Sequence, residues 1–285
     1  MSRISGQALH QIQKHLGLFH QNLIHIEGGL GSQILGAIAF WNLQEKVGPD
    51  KAKCDLTYFT NTSSIPGLWP YELNRFDLPI SDFQKYESKK KTNLLFMKKD
   101  FLFPSEINLN YWQSSREKYL DKFGFDKYQI QLDYKALTKL SLSEPFGVLH
   151  IRRGDYLQVA SKIIGIEDYV DILKSIKELI PKNVLIISDS EISPSDRSQF
   201  EMTTLREKNV IYLDQPHLDN FLIHCIMREA EILVTANSTF SFSAGLLARQ
   251  GQRVLAPIQF HGGQDSEKYN RTFRDAANFA IWPTR

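Results

Sequence analysis

Cysteine is scarce: Cys54 and Cys225 are the only two in 285 residues. Two cysteines cannot staple a chain of this length, which excludes a disulfide-framework fold and makes a reduced, cytoplasmic setting the expectation. No CxxC pair or Cys/His cluster has zinc-ligand spacing. His10, His15, His20 and His25 recur every five residues, a spacing that fits neither one helical face nor HExxH, so no metal is expected there. No run of about 18 apolar residues occurs, which excludes a membrane-spanning helix. The N-terminus lacks the basic-then-apolar pattern of a signal peptide. Charge of one sign is missing too. Lys and Arg number 34 against 32 Asp and Glu, a net +2, too balanced to suggest a nucleic-acid partner. Charged residues at 23% and hydrophobic ones at 42% are ordinary globular values. The length suits one large domain or two modest ones.

What is present is an alternation of short apolar runs and longer helical periods. Asn22–Glu27 (NLIHIE) reads as a strand. It runs into Gly28-Gly29-Leu30-Gly31 and then a proline-free apolar helix from Ser32 to Gln44. Strand, glycine turn and helix form the opening unit of a nucleotide-binding α/β domain. Lys53–Thr60 is a second candidate strand. Asn61–Asp82 carries prolines and little periodicity and reads as loop. Lys85–Lys99 brackets the apolar run Leu94–Met97 with lysines, which reads as a protected strand edge or as a patch touching anionic lipid. Leu109–Ala136 is expected to be helical.

From Phe146 the pattern is regular. Strands are expected at Phe146–Ile151, Asn183–Ser188, Asn209–Leu213, Ile232–Thr235 and Arg253–Ala256. Helices are expected at Ile166–Ile180, Leu218–Arg228 and Phe240–Arg249, with a last helix over Asp265–Ala280. Such alternation means a parallel, doubly wound sheet. The strand–turn–helix logic starts twice, at Leu23 and at Phe146. The expected organisation is therefore an N-terminal Rossmann-like domain over 1–143, a C-terminal one over 144–264, and a closing helix over 265–285.

Three stretches carry chemistry. His150-Ile151-Arg152-Arg153-Gly154-Asp155-Tyr156 follows a buried strand directly, where open α/β sheets bind ligands. Adjacent arginines there suit phosphate oxygens, which the guanidinium fork meets bidentately. On a strand they would face opposite ways; at its end they either converge, or one reaches ligand while the other pairs with protein. Asp155 either orients an arginine or acts as a base. A purely structural Arg–Asp cluster is the plain alternative. Arg153-Gly154-Asp155 also matches a cell-adhesion tripeptide, which is too short to carry weight. Next, Thr235-Ala236-Asn237-Ser238-Thr239-Phe240-Ser241 offers more polar groups than one helix cap needs, and backbone N–H groups there suit an anion. The third stretch, Gly28-Gly29-Leu30-Gly31-Ser32-Gln33, lets backbone approach a ligand but matches neither GxGxxG nor the P-loop.

Together HIRRGDY, ANSTFS and GGLGSQ resemble the bacterial α-1,2-fucosyltransferases that use GDP-fucose, in order and spacing over nearly the whole chain. The resemblance implies a GT-B architecture of two Rossmann-like domains facing a cleft. It implies inverting transfer without a metal or other cofactor. On matching positions, Arg152 and Arg153 would contact the diphosphate and His150 would lie by the nucleotide. Asn237, Ser238, Thr239 and Ser241 would line the donor site, with Gly29, Gly31 and Gln33 facing the cleft. Ser188 and Asp189 would lie near the base or ribose. Ser32 replaces the usual Asn, and Ser241-Phe242-Ser243-Ala244-Gly245 replaces a Trp-Trp-Gly run. Ser188-Asp189-Ser190 stands where Ser-Asp-Asp is frequent. The resemblance implies a galactoside acceptor in a surface glycan or its lipid-linked precursor, at the inner face of the membrane.

Mechanistically, fixed cations at Arg152 and Arg153 would stabilise the leaving diphosphate. Asp155 is the first candidate base, with Glu27 and Glu167 behind it. Asp189-Ser190-Glu191 superficially resembles a metal-binding carboxylate pair, although the arginines make a metal unnecessary. Transfer from another nucleotide sugar and a non-catalytic nucleotide-sugar-binding role are the competing readings.

Overall fold

The computed structural model describes residues 23–60, 69–83, 118–158, 163–202, 205–215, 217–257 and 280–282. The Lys85–Lys99 patch lies outside them. Strand β1 (Leu23–His25) enters the glycine turn and then helix α1 (Leu30–Val47). Ile34, Ala37, Ile38 and Phe40 of α1 are fully buried. A helix apolar on most sides must be enclosed, and α1 packs between β1 and the second half of the molecule. Gly48, at φ 93°, ends α1 by donating its N–H to the Gln44 carbonyl.

Strand β2 (Lys53–Asp55) pairs parallel with β1. The expected strand to Thr60 stops early: the Phe59 N–H bonds to the Leu56 carbonyl at 3.0 Å, and Thr57–Thr60 form a helical turn, α2. The expected loop over 61–82 contains two 3-10 turns, Leu73–Phe76 and Ile80–Asp82. The expected helix over 109–136 is interrupted around Gly124–Asp126. Asp126 caps the helix that follows, α3 (Lys127–Thr138), by accepting from the N–H groups of Tyr128 and Gln129.

The second half is built on a six-stranded parallel sheet. Its strands are β3 (Phe146–Ile151), β4 (Asn183–Ser188), β5 (Asn209–Leu213), β6 (Ile232–Val234), β7 (Arg253–Pro257) and β8 (Ala280–Trp282), in the order β5-β4-β3-β6-β7-β8. Every residue of β3 and β4 is buried, which a sheet covered on both faces requires. Alternate side chains supply two cores. Val148, Leu185, Ile187 and Leu233 face α1, α6 (Asn220–Glu229) and α7 (Thr239–Leu246). Leu149, Ile151, Val184 and Ile186 face α4 (Ile166–Ser175) and Phe200 of α5 (Pro194–Glu201). The first core continues without a break into the N-terminal half, through Ile24, Phe40, Trp41 and Phe76. Cys54 and Cys225 are unpaired and buried in it.

Two elements differ from expectation. Helix α5 lies in the β4–β5 crossover. Its signal is local: the Ser193 side chain accepts from the Asp196 N–H, and Pro194 occupies the first turn. Ala280–Trp282, expected within a terminal helix, instead form β8, parallel to β7. The rest of that expected helix lies outside the described residues. Among the described residues no helix is long and apolar enough to cross a membrane.

Candidate functional site

The sheet order determines where a ligand fits. The chain lays down β3, adds β4 and β5 to one side, then returns to add β6, β7 and β8 to the other. Connections leave in opposite directions beyond the ends of β3 and β6, opening the crevice that parallel α/β sheets use for ligands. A cleft of about 670 Å³ lies here. His150 and Arg152 from β3, Ser188 and Asp189 from β4, Ser238 and Thr239 from the β6–α7 turn, and Gly28–Ser32 from the first half all line it.

Arg152 and Arg153 diverge. The Arg152 Nη1 lies 2.8 Å from Asp189 Oδ2, its guanidinium 5.2 Å from the centre of the Tyr156 ring, and its side chain is only 16% exposed. Arg153 turns the other way and donates from Nη1 to the Ile164 carbonyl at 2.8 Å. Of the arginine pair, then, the structure brings Arg152 to the cleft wall and Arg153 to the loop before α4. The main chain of Arg153 still serves the site, donating its N–H to Asp189 Oδ1 at 2.8 Å. Both oxygens of Asp189 are thus engaged. Gly154 makes room for them: it adopts φ +25°, and a Cβ there would lie 2.2 Å from Asp189 Oδ2. The loop beyond Asp189 is braced from β5, where Asp214 Oδ2 accepts from the Ile192 N–H and from Arg197.

His150 forms part of the cleft floor and is almost wholly buried. Burial, and secondarily the Arg152 charge, lowers its pKa to about 3, so the imidazole is neutral at neutral pH. Its Nδ1 has no hydrogen-bond partner among the described residues. Phe240 packs against its ring at 5.8 Å between centroids.

The first half closes the cleft with the start of α1. Gly31 meets α7 backbone to backbone: a Cβ there would lie 2.5 Å from Phe240 atoms. Beside it Ser32 Oγ and Thr239 Oγ1 are 3.2 Å apart. Two helix N-termini thereby converge on the cleft that holds Arg152, with Ser238 capping α7 by accepting from the Phe240 N–H. Gln33 stands behind this wall. It is fully buried; its Nε2 donates to the Gly28 and Pro70 carbonyls and its Oε1 accepts from the Glu72 N–H. Two other anticipated donor-site residues also have protein partners. Ser241 Oγ accepts from the Ala236 N–H, and the Asn237 carbonyl accepts from the Tyr156 hydroxyl.

Of the candidate bases, Asp155 sits in the 3-10 turn Gly154–Gln158, and its side chain lies outside those described. Glu167 is exposed on the first turn of α4 and is not part of the cleft wall; neither is Glu27. Glu191 is exposed, and among the described residues no group of three or more His, Cys, Asp or Glu could hold a metal ion. Trp69, Tyr156, Gln215, His217 and Asn220 also line the wall. Tyr156 belongs to the HIRRGDY stretch. Trp69 has no local signal in its aperiodic surroundings.

No protein-family profile matches the chain. It is 23% identical, over 293 residues, to the O-antigen biosynthesis glycosyltransferase WbnK of Escherichia coli, covering 85% of this chain and 96% of that protein. Among solved structures, it is similar to the E. coli heptosyltransferase WaaC with ADP, at 10% identity and a TM-score of 0.40, with 92% of each chain covered. It is also similar to a UDP-N-acetylglucosamine 2-epimerase described as putative from Listeria monocytogenes, at 14% identity and a TM-score of 0.30, covering 97% of this chain and 72% of the other.

Proposed function

We propose that the protein is a GT-B glycosyltransferase of glycan biosynthesis that moves fucose from GDP-fucose to a galactoside hydroxyl, with inversion at the anomeric carbon and without a metal ion. The observation that carries this reading is Arg152. It is a largely buried cation at the carboxyl end of the central strand, beside two helix N-termini. Such an arrangement suits a diphosphate. Similarity to an O-antigen glycosyltransferase along most of both chains supports group transfer as the reaction class.

In the proposed reaction the acceptor oxygen attacks the sugar C1 as the bond from C1 to the diphosphate oxygen breaks. The bonding electrons pass to the diphosphate. The Arg152 guanidinium and the N–H groups at the start of α7 stabilise that charge without reorganising, because Asp189 and Tyr156 already hold the arginine. Asp189 is committed to Arg152 and to the Arg153 N–H, which supports a charge-stabilising role for the arginine rather than a metal-ligand role for the carboxylate. Neutral His150 in the cleft floor adds no charge beside Arg152. Asp155, three residues beyond Arg152, is the proposed base that takes the acceptor proton.

The test is release of nucleoside diphosphate from GDP-fucose, UDP-sugars and dTDP-sugars, with and without lactose, in buffer containing EDTA. Lactose-dependent GDP release in EDTA is expected. Loss of turnover in EDTA would overturn the metal-free mechanism. GDP binding without release from any donor would make the protein a non-catalytic nucleotide-sugar binder.

A further inference from the structure

Trp69 is the one large aromatic side chain on the cleft wall that is substantially exposed, at 40%, among the described residues. Its position is built rather than incidental. The indole lies on Gly29, with ring atoms Cδ2, Cε3 and Cε2 at 3.3, 3.5 and 3.6 Å from where a Cβ would be. A Cβ there would press lightly on the ring, so the glycine lets the indole lie flat against the turn. The flanking backbone is pinned on both sides. The Trp69 N–H donates to the Tyr58 hydroxyl, the Pro70 carbonyl accepts from Gln33, and the Glu72 N–H donates to Gln33. A ring held this way loses little conformational entropy when a ligand covers it.

We propose that Trp69 is the stacking platform for the acceptor sugar, which makes the Gly28–Ser32 wall the acceptor side of the cleft. This rests on the transferase reading above. A β-galactoside is polar at its rim but presents one face of C–H groups, and the electron-rich face of an indole attracts such polarised C–H bonds while burying apolar area. A nucleobase would also stack on an indole. Polar groups able to read a base or ribose, however, stand at the carboxyl ends of β4 and β5, Ser188 and Gln215 among them. Trp69 stands on the turn contributed by the other half of the molecule. A donor anchored at Arg152 and directed toward β4 leaves the Trp69 wall for the acceptor.

The test measures binding of methyl β-galactoside to the GDP-loaded protein by saturation-transfer NMR, with GDP affinity measured separately by calorimetry, for wild type, Trp69→Phe and Trp69→Ala. Trp69→Ala should weaken galactoside binding at least tenfold and Trp69→Phe by less, with the GDP Kd within twofold of wild type. Each variant's melting curve must match wild type; if Trp69→Ala unfolds, the Trp69→Phe comparison decides. Galactoside binding that is absent in wild type or unchanged in the variants overturns the proposal. So does a parallel loss of GDP affinity, which would put a nucleobase on the ring. The transferase reading stands or falls separately, on diphosphate release from the donor.

Discussion

Arg152 and Asp189 form an ion pair of 2.8 Å between the carboxyl ends of two neighbouring strands, β3 and β4. The pair holds a cation ready beside the helix termini, and because it is partly exposed it contributes only modestly to stability. Arg152→Ala should lower the transfer rate by about 10²–10³, the usual cost of removing one preorganised charge-stabilising group. Stability should fall by about 1 kcal/mol, a shift of roughly 2–4 °C in Tm. Steady-state kinetics with a melting curve checks both. A large Tm loss with proportionate activity loss would mean that the arginine is structural only.

Gly154 is where this pair depends on backbone. Gly154→Ala puts a methyl group into the space of Asp189 Oδ2 at a positive φ that alanine tolerates poorly. The carboxylate must move, breaking its bond to the Arg153 N–H and releasing Arg152. The expected result is a stability loss of about 1–3 kcal/mol together with a fall in turnover close to that of Arg152→Ala. Measuring GDP binding in both variants checks the link: the two should weaken alike.

Two buried histidines, His150 and His224, make stability pH-dependent. His150 has its pKa lowered to about 3, and burial with the Arg228 charge lowers that of His224 well below 6.5. Unfolding exposes both to ordinary values near 6.5, so below that pH the unfolded state takes up protons first. Their contribution is complete above pH 6.5 and is lost as pH falls toward the folded pKa, by up to about 1.4 kcal/mol per pH unit for each histidine. Denaturant unfolding at pH 7, 6 and 5 should show this slope. His150→Gln should flatten it, and an unchanged slope would remove His150 from the account.

The second half was legible because its residues behave locally. FGVLHI and NVLIIS are unbroken apolar runs, and such runs become central parallel strands when both faces are covered. The motif ends of β3 and β6 therefore fell where the sheet order reverses. Divergence of Arg152 and Arg153 fits side-chain alternation continuing two residues past Ile151, the end of β3. What escaped depends on partners distant in sequence. Trp69 matters through Gly29, forty positions earlier, and Gln33 through Pro70 and Glu72. Gln33 was expected at the cleft from the GGLGSQ resemblance, and its amide is engaged by backbone groups. β8 is three residues long and has no periodicity of its own; only its pairing with β7 makes it a strand.

Gln33→Ala tests the scaffold role. It leaves the Gly28 and Pro70 carbonyls and the Glu72 N–H without their partner in a part-buried setting. Water can reach part of these groups, so the loss should be about 1–3 kcal/mol. Because Trp69 is carried by the same segment, acceptor KM should rise more than donor KM. A stable variant with only donor binding impaired would show that Gln33 meets the nucleotide instead.

Gly31 is a close backbone approach between the two halves. With a Cβ placed 2.5 Å from the Phe240 backbone, Gly31→Ala cannot be absorbed by a flexible side chain; α1 and α7 must separate. That separation pulls Ser32 from Thr239 and spreads the two helix N-termini that flank Arg152. The strand pairing itself is not touched, so the strands should remain formed, with far-ultraviolet circular dichroism unchanged. The expected outcome is a lower Tm from lost interhelical packing, of about 1–3 kcal/mol for overpacking, and a diphosphate affinity reduced at least tenfold because the converging N–H groups no longer share one anion. Calorimetry with GDP measures this directly. Retained GDP affinity in a destabilised Gly31→Ala would assign the anion to Arg152 and α7 alone and confine α1 to packing.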